Sequence, residues 1–413
     1  MPQVIIAGGG IGGMAAALSL HAAGITDVEV YESAPAIREL GVGLTLQPHA
    51  MRELTELDLH DELAATGVAL TELAYFTKRG QRIWAEPRGL AAGHRWPQLA
   101  IHRGELLMIL YRAVLARLGA GRVHAGHHLA CFGEQPEGTV WAQFSDRSTG
   151  EPLTRVRGEV LVGADGVHST LRRILHPREG PPPCTGITMW RGAIEAEPFL
   201  GGHTMAQAGY HGRQVVVYPI SGRYADRGRM LINWVALHRV GISQSPGRQD
   251  WNHRGRLGDV LERFGSFRFD WLDLPELFRR TPVIFEYPLV DRDPLPHWGA
   301  GRVTLLGDAA HPIYPYGGNG AAQAILDARA LADALAGSAS AADALADYQA
   351  QRRPATTKVV LANRRGGPEE CLDIVEQRAP DGFDRIEDVI SAAELAEISR
   401  GYQRIAGGGG QGD

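Results

Sequence analysis

The 413-residue sequence predicts an α/β protein. Rossmann-like parallel βα units are interrupted by a β-sheet insertion and followed by a C-terminal helical region. Three observations predict it. Short apolar runs at residues 4–7, 160–163 and 303–306 each end in a glycine-bearing turn that opens toward a helix. Two of those turns carry an aspartate, Asp165 and Asp308. Between the second and third turns, the stretch 184–287 loses the βα rhythm and alternates as strands.

The first unit starts at Val4. Four apolar residues are too few for a helix and suit a buried strand. Gly8-Gly9-Gly10-Ile11-Gly12-Gly13 follows, with G-x-G-x-x-G at Gly8, Gly10 and Gly13. Ile11, Met14, Ala15, Leu18 and Ala22 then repeat at helical spacing. Residues 28–32 alternate as a second strand ending on Glu32, at the separation expected of an acid that binds a ribose. Such glycines let the backbone approach a pyrophosphate, and the helix N-terminus stabilises its charge. NAD and FAD both fit this unit.

Gly41 and Gly43 point to a mobile or closely packed loop. Arg38 beside them is either a phosphate or cofactor contact or a solvated arginine. Met51, Leu54, Leu57 and Leu59 suggest a short amphipathic helix. Residues 70–84 read as a strand pair turning at Arg79-Gly80, a β segment that folds onto another domain. The next helix starts at Arg103, where a cation opposes the helix dipole unless a bound anion or polar ring edge lies nearby. His124, His127 and His128 have no carboxylate or cysteine at ligand spacing, so no metal site is expected. Val123 and Leu129 are expected in a third strand of the Rossmann-like sheet.

The second turn, Gly163-Ala164-Asp165-Gly166, leads into a helix with Arg172 and Arg173. Asp165 either faces a ligand or caps that helix. The third is the most informative. Gly307 permits a sharp turn and Asp308 sits at the strand's C-terminal end, where open α/β sheets bind ligands. Pro312, Pro315, Gly317, Gly318 and Gly320 force an irregular loop, and Ala321, Ala324, Ile325, Ala328 and Leu331 restart a helix behind it. A carboxylate for sugar hydroxyls followed by a helix N-terminus for an anion suits a flavin.

In the β-rich segment, Trp190, Met205, Tyr218 and Trp234 are candidate walls for a flat aromatic substrate, set against a role as ordinary sheet core. Residues 343–405 read as helical. Their cations Arg352, Arg353, Lys358, Arg364 and Arg365 are expected on a solvated face. The expected domains are 1–72, 100–180 and 288–350 for the nucleotide domain, 73–99 and 181–287 for the substrate domain, and 351–405 for the C-terminal helices. Residues 406–413 are expected to be a disordered tail.

A net charge of −5 argues against nucleic-acid binding. Three distant cysteines suggest a reducing compartment, and no run is apolar enough to span a bilayer, which together suggest a soluble cytoplasmic protein. A monomer or homodimer is expected.

Gly8 to Gly13, Gly163-Ala164-Asp165-Gly166 and Gly307-Asp308, in this order, resemble the three fingerprints of the group A flavoprotein monooxygenases, which have the para-hydroxybenzoate hydroxylase fold. Further stretches resemble one branch, the phenazine-carboxylate monooxygenases of pyocyanin biosynthesis. They are Gly41-Val42-Gly43, Ile101-His102-Arg103-Gly104-Glu105, Ile187 to Gly192, Val290 to Trp298 and Arg352-Arg353-Pro354-Ala355. The resemblance implies a GR2-type FAD-binding domain. Gly8, Gly10 and Gly13 would hold the pyrophosphate, Glu32 the adenosine ribose, and Asp308 the ribityl chain. Arg103 and Leu129 would contact the cofactor, with Asp165 supporting the pyrophosphate region and the docking of NADH or NADPH.

It also implies hydroxylation of a small aromatic substrate by O2 through a flavin C4a-hydroperoxide, in secondary metabolism or aromatic catabolism. If a carboxyl-bearing carbon is attacked, carbon dioxide leaves. No side chain is assigned as acid, base or nucleophile. The loop Pro315, Gly317, Gly318, Asn319, Gly320 is expected against the flavin ring, with Pro315 and Tyr316 near the substrate. His311 is expected to be structural. The alternatives are a reductase or cyclase of the same fold, and a non-catalytic binding protein on the same scaffold.

Overall fold

The computed structural model describes residues 3–241, 253–364 and 369–405. Its organising element is a five-stranded, fully parallel sheet in the order Val303–Leu305, Val160–Gly163, Val4–Ala7, Val28–Glu32, Val123–Ala125. The Val4–Ala7, Val160–Gly163 and Val303–Leu305 strands are buried throughout, and the sheet is packed by the Ile11–Ala22 helix and by the antiparallel strands His128–Gln135, Thr139–Ser145 and Pro152–Gly158, with Tyr31 stacked on Phe144. The C-terminal ends of the three turn-bearing strands therefore lie side by side.

The Ile11–Ala22 helix is apolar nearly all round, which matches its burial from Gly13 to Leu20. It stops at Gly24, whose φ of +86° places it in the left-handed region. Ile25 N–H donates to the Leu20 carbonyl and Gly24 N–H to that of His21, a Schellman closure with Ile25 buried behind it.

The second large sheet has seven strands, in the order Phe285–Val290, Cys184–Ala196, Met230–Arg239, Arg213–Ser221, Thr204–Tyr210, Glu72–Phe76, Arg82–Pro87. All its pairings are antiparallel except the one between Thr204–Tyr210 and Glu72–Phe76. The strand pair expected at 70–84 is thus the outer edge of this sheet. One face packs Val215, Val217, Ile232 and Ala236 against the Leu257–Phe264 and Leu274–Arg280 helices. Residues 251 and 252 lie outside the described residues. The other face looks toward the parallel sheet.

Two three-stranded antiparallel sheets complete the β structure. Gly43–Leu46, Gln98–His102 and Val68–Leu70 form one. Pro152–Gly158, Thr139–Ser145 and His128–Gln135 form the other. Val123 joins the parallel sheet as expected. Leu129 does not: it sits in the His128–Gln135 strand opposite Phe144. Gly126 at φ +76° turns the chain between the two, so the single strand anticipated is two strands in different sheets.

The C-terminal region is helical, in Ala341–Arg364, Glu370–Arg378 and Ala392–Ile405. Cys371, Leu372 and Val375 pack on Leu73, Tyr75 and Ile83 of the seven-stranded sheet's outer strands. The expected solvated cationic face is only partly there. Arg352 is buried and hydrogen-bonds through Nε to Asp327 Oδ1 at 2.7 Å, and Arg364 pairs with Asp291 at 2.6 Å and Asp293 at 2.8 Å. Both lie on the Ala341–Arg364 helix, and a cation that packing holds against the body of the protein is retained by pairing with a carboxylate. Arg365 and the expected tail 406–413 lie outside the described residues. No described helix is long and apolar enough to cross a membrane.

Candidate active site

A cavity of about 1440 Å³ runs between the C-terminal edge of the parallel sheet and the inner face of the seven-stranded sheet. Single small ligands occupy pockets of roughly 300–1,000 Å³, so this one has room for a dinucleotide and a second small molecule.

At the nucleotide end, the three glycines divide the work. Gly8 has φ +117°, and a Cβ there would overlap the Ala164 carbonyl. A Cβ on Gly13 would overlap the Gly8 carbonyl, so these two let strand, turn and helix approach closely. Gly10 is different: a Cβ on it would meet nothing within 4 Å, and it lines the cavity. It is also the N-terminal cap of the Ile11–Ala22 helix, extended at φ −77°, with no side chain capping that end. The open space therefore lies where the helix presents N–H groups and partial positive charge. Glu32 accepts from Gly9 N–H and Ala34 N–H, both at 2.7 Å, which fixes its carboxylate beside the first glycine turn.

Asp308 and Arg103 both line the cavity from opposite sides, Asp308 from the turn after the last parallel strand and Arg103 from its helix start. Each is open to the cavity and enclosed by protein elsewhere. Burial raises the Asp308 pKa, opposed by the charges of His311 and Arg103. Burial lowers that of Arg103, opposed by Asp308. The dipole-opposed arginine thus has its compensating carboxylate across the cleft. Gly307, at φ +61°, makes the turn that aims Asp308.

The loop after it is pinned. Gly317 and Gly318 have φ of +69° and +64°, and a Cβ on Gly318 would overlap Thr45 Oγ1. Gln47 Nε2 donates to the Gly317 carbonyl at 2.8 Å. Pro315, Gly317, Gly318, Asn319 and Gly320 all line the cavity, and no side chain caps the Gly320–Gly337 helix, whose N-terminus faces it. The side chain of Tyr316 lies outside the described residues. Gly43 lines the same stretch; a Cβ on it would come within 2.6 Å of Ile220 Cγ2, and its N–H donates to Asn233 Oδ1 at 2.7 Å.

Other expected residues stand elsewhere. Asp165 is a helix cap: it accepts from Thr170 N–H at 2.7 Å, from Leu171 N–H at 3.2 Å and from the Ser169 hydroxyl. Its neighbours Ala164 and Gly166 line the cavity while it does not. Arg38 is exposed and Leu129 is 3% exposed; neither lines the cavity. His311 is structural in its contacts, held by Asp327. His124 stacks on Tyr31, and no described group of His, Cys, Asp or Glu is arranged to hold a metal.

The substrate wall requires a correction. Met205 and Tyr218 line the cavity, but Trp190 and Trp234 do not. Both tryptophans point to the helix-covered face. Trp234 is fully buried, edge-on to Phe278, and donates through Nε1 to Thr281 Oγ1 at 2.8 Å; Trp190 donates to Glu286 at 3.1 Å. Side chains alternate along a strand, so facing is a matter of parity. Met189, Arg191, Val216, Val235 and Leu237, one position from the tryptophans or from each other's outward neighbours, form the cavity wall. Parity was readable, but its sign was not. The sequence reading also missed Gln207, Gln214 and Glu369, which give the wall its polar end.

A glycine cradle open at Gly10, an acid beside it, and an acid and a cation across the cleft suit a dinucleotide cofactor. The chain belongs to the FAD binding domain family, whose model matches residues 1–214 and 292–363. It is 48% identical to a phenazine 1,6-dicarboxylic acid hydroxylase of Lysobacter antibioticus, over 88% of this chain and 89% of that one. It is 32% identical to an aurachin C monooxygenase/isomerase of Stigmatella aurantiaca, over 88% of both chains. Its fold is similar to that of Klebsiella pneumoniae HpxO complexed with FAD and uric acid, at a TM-score of 0.73 and 24% identity over 98% of this chain and 95% of that one. The expectations of an α/β FAD-binding fold and of an FAD-dependent monooxygenase using NAD(P)H and O2 hold.

Proposed function

We propose that this monooxygenase hydroxylates a planar N-heteroaromatic or polycyclic aromatic carboxylate. FAD held in this cleft would supply the two-electron exchange with NADH or NADPH and the activation of O2, with one oxygen atom going to the substrate and the other to water. The protein's own contributions are positioning, exclusion of water and charge.

The observation that carries this reading is the composition of the sheet wall. Met189, Met205, Val216, Val235 and Leu237 make it apolar, with a single cation, Arg191, set among them. Arg191 donates to the Gly43 carbonyl, its Nε has no partner among the described residues, and it hydrogen-bonds the Tyr218 hydroxyl. A flat ring would lie on the apolar surface while its carboxylate met Arg191 and Tyr218. Pro315 and the Gly317–Gly320 stretch would close the flavin side, held against Thr45 and Gln47, and so keep the ring and the reacting carbon free of bulk water. Glu32 would take the adenosine ribose, Gly10 the pyrophosphate, Asp308 the ribityl hydroxyls and Arg103 a polar edge of the cofactor. The relative's phenazine dicarboxylate supports the substrate class.

The same reading makes the protein a cytoplasmic monomer or homodimer without a nucleic-acid partner, in keeping with its net charge of −5. Light scattering on the purified enzyme distinguishes monomer from dimer.

The test is to measure NADH and NADPH oxidation by the flavoprotein against a panel of aromatic acids and to weigh the products. Gain of one oxygen means hydroxylation. A hydroxyl in place of the carboxyl, with carbon dioxide released, means decarboxylative hydroxylation. No stimulation by any aromatic acid overturns the proposal.

A further inference from the structure

The sheet wall is far wider than one flat aromatic ring. Residues lining the cavity lie on six consecutive strands, from Met189 and Arg191 on Cys184–Ala196 to Trp84 and Glu86 on Arg82–Pro87. Neighbouring strands are about 4.8 Å apart, so this floor is roughly 24 Å across. Exposure rises along it. Met189, Tyr218 and Leu237 are buried, whereas Ala92, Gly93, His94 and Arg95, in the loop after Arg82–Pro87, line the cavity and are exposed. The cavity therefore opens to solvent at this loop. The rim there carries Arg52, Arg88 and Arg95 against Glu86 and Glu369. His49 feels the charges of both Arg52 and His94, which brings the Pro48–Glu56 helix to the same rim. Arg52 pairs with Glu53 at 2.5 Å and Arg88 with Glu86 at 2.6 Å. Arg95 meets no carboxylate among the described residues; its guanidinium lies over the Trp96 ring, 5.1 Å from the centroid. Trp96 itself packs against the core beneath and lines the cavity.

We propose that the 92–96 rim is the entrance for the substrate, an aromatic carboxylate, and that Arg95 on Trp96 draws the carboxylate in before the ring passes over the floor to Arg191. The proposal rests on the aromatic-acid reading above and adds the route. A guanidinium stacked on an indole keeps its N–H edge for a carboxylate, so this pair offers a charge and a ring face together. A cleft with an excess of one charge raises the local concentration of the opposite ion and its rate of arrival. Beyond the rim, Leu73, Met205, Val216 and Val235 stand on successive strands toward Arg191, an apolar track for a flat ring. Distance limits what Arg95 can do. Arg191 lies at the other side of the floor, well beyond the screening length of about 8 Å at physiological salt. Arg95 therefore acts on the ligand at the rim and not on the ligand once it is bound. It sets how fast the aromatic acid enters and leaves, not how tightly it is held.

The experiment mixes oxidised holoenzyme rapidly with phenazine 1,6-dicarboxylate and follows flavin absorbance, which gives kon, koff and Kd. Arg95→Glu is expected to lower kon and koff together by about tenfold at low salt, with Kd changed by less than about twofold. The deficit should shrink in about 0.5 M sodium chloride. Arg95→Lys should restore most of the rate. Uncharged phenazine 1,6-dicarboxamide should enter wild type and Arg95→Glu equally fast. Ala92→Trp, which sets an indole on the rim, should slow both ligands. Both positions are exposed, and melting temperature and flavin content report that the variants are folded. Arg95→Glu rates equal to those of wild type overturn the inference. So does a faster koff with kon unchanged, which would put Arg95 at the final site, and so does a diamide that enters Ala92→Trp as fast as wild type. If any of these is found while an aromatic acid stimulates NADH oxidation by wild type, the inference fails and the hydroxylase reading stands. If the rates behave as expected but no aromatic acid stimulates NADH oxidation, the hydroxylase reading fails alone. A wild type that neither binds the dicarboxylate nor responds to any aromatic acid overturns both.

Discussion

His311 Nε2 lies 2.5 Å from Asp327 Oδ2, which joins the turn after the last parallel strand to the helix that follows it. The same Oδ2 accepts from Gly307 N–H at 3.0 Å, and Oδ1 accepts from Arg352 Nε at 2.7 Å. One fully buried carboxylate therefore fixes the Gly307 backbone just before Asp308, the loop through His311, and the C-terminal helix through Arg352. Burial by itself would raise the Asp327 pKa, but the charges and hydrogen bonds of His311 and Arg352 outweigh it and hold the group at about 2.

Asp327→Asn leaves Arg352 buried without its counter-charge. A loss of about 3–5 kcal/mol in unfolding free energy is expected, measured by denaturant titration, together with lower flavin retention. The pH dependence has a definite sign. The folded pKa lies below the unfolded value of 3.8, so the unfolded chain binds more protons and stability rises with pH. The Asp327 contribution is complete above pH about 4 and disappears as pH falls through about 2. The gap between wild type and Asp327→Asn should shrink across that window.

Gly8 and Gly10 separate folding from binding. Gly8→Ala forces a Cβ into the Ala164 carbonyl at φ +117°, and a clear drop in melting temperature is expected. Gly10→Ala adds a methyl only to the open cleft. Unfolding free energy should change by less than about 0.5 kcal/mol, while FAD affinity falls by about tenfold or more, read by flavin fluorescence titration.

Asp308→Asn is expected to separate stability from function. Asp308 is exposed to the open cleft in the flavin-free protein, so the flavin-free melting temperature should change little. FAD retention should fall, since an acceptor for the ribityl hydroxyls is weakened. Unchanged FAD retention contradicts the role given to Asp308.

Trp234→Ala and Tyr218→Phe probe the two faces of one sheet. Trp234 packs on Phe278 away from the cavity, so its truncation should cost about 3–5 kcal/mol of stability without a selective effect on KM for the aromatic acid. Tyr218→Phe should leave stability within about 1 kcal/mol and raise KM, because only its hydroxyl and the Arg191 contact are removed.

Local signals in the chain were enough to place the Val4–Ala7, Val28–Glu32, Val160–Gly163 and Val303–Leu305 strands, the three turns and their acids. A strand that ends in Gly or Gly–Asp has few alternative conformations, so its geometry is written in neighbouring residues. What the tertiary structure decided was direction and partnership. Asp165 turned inward to cap a helix and Trp190 and Trp234 turned away from the cavity. Leu129 went to a different sheet, and Arg352 found Asp327. Glu369 reached the wall from a helical segment whose sequence carries no site motif. Each outcome depends on which face of a strand or helix meets which neighbour, and that is set by packing between segments far apart in the chain, which local periodicity does not encode.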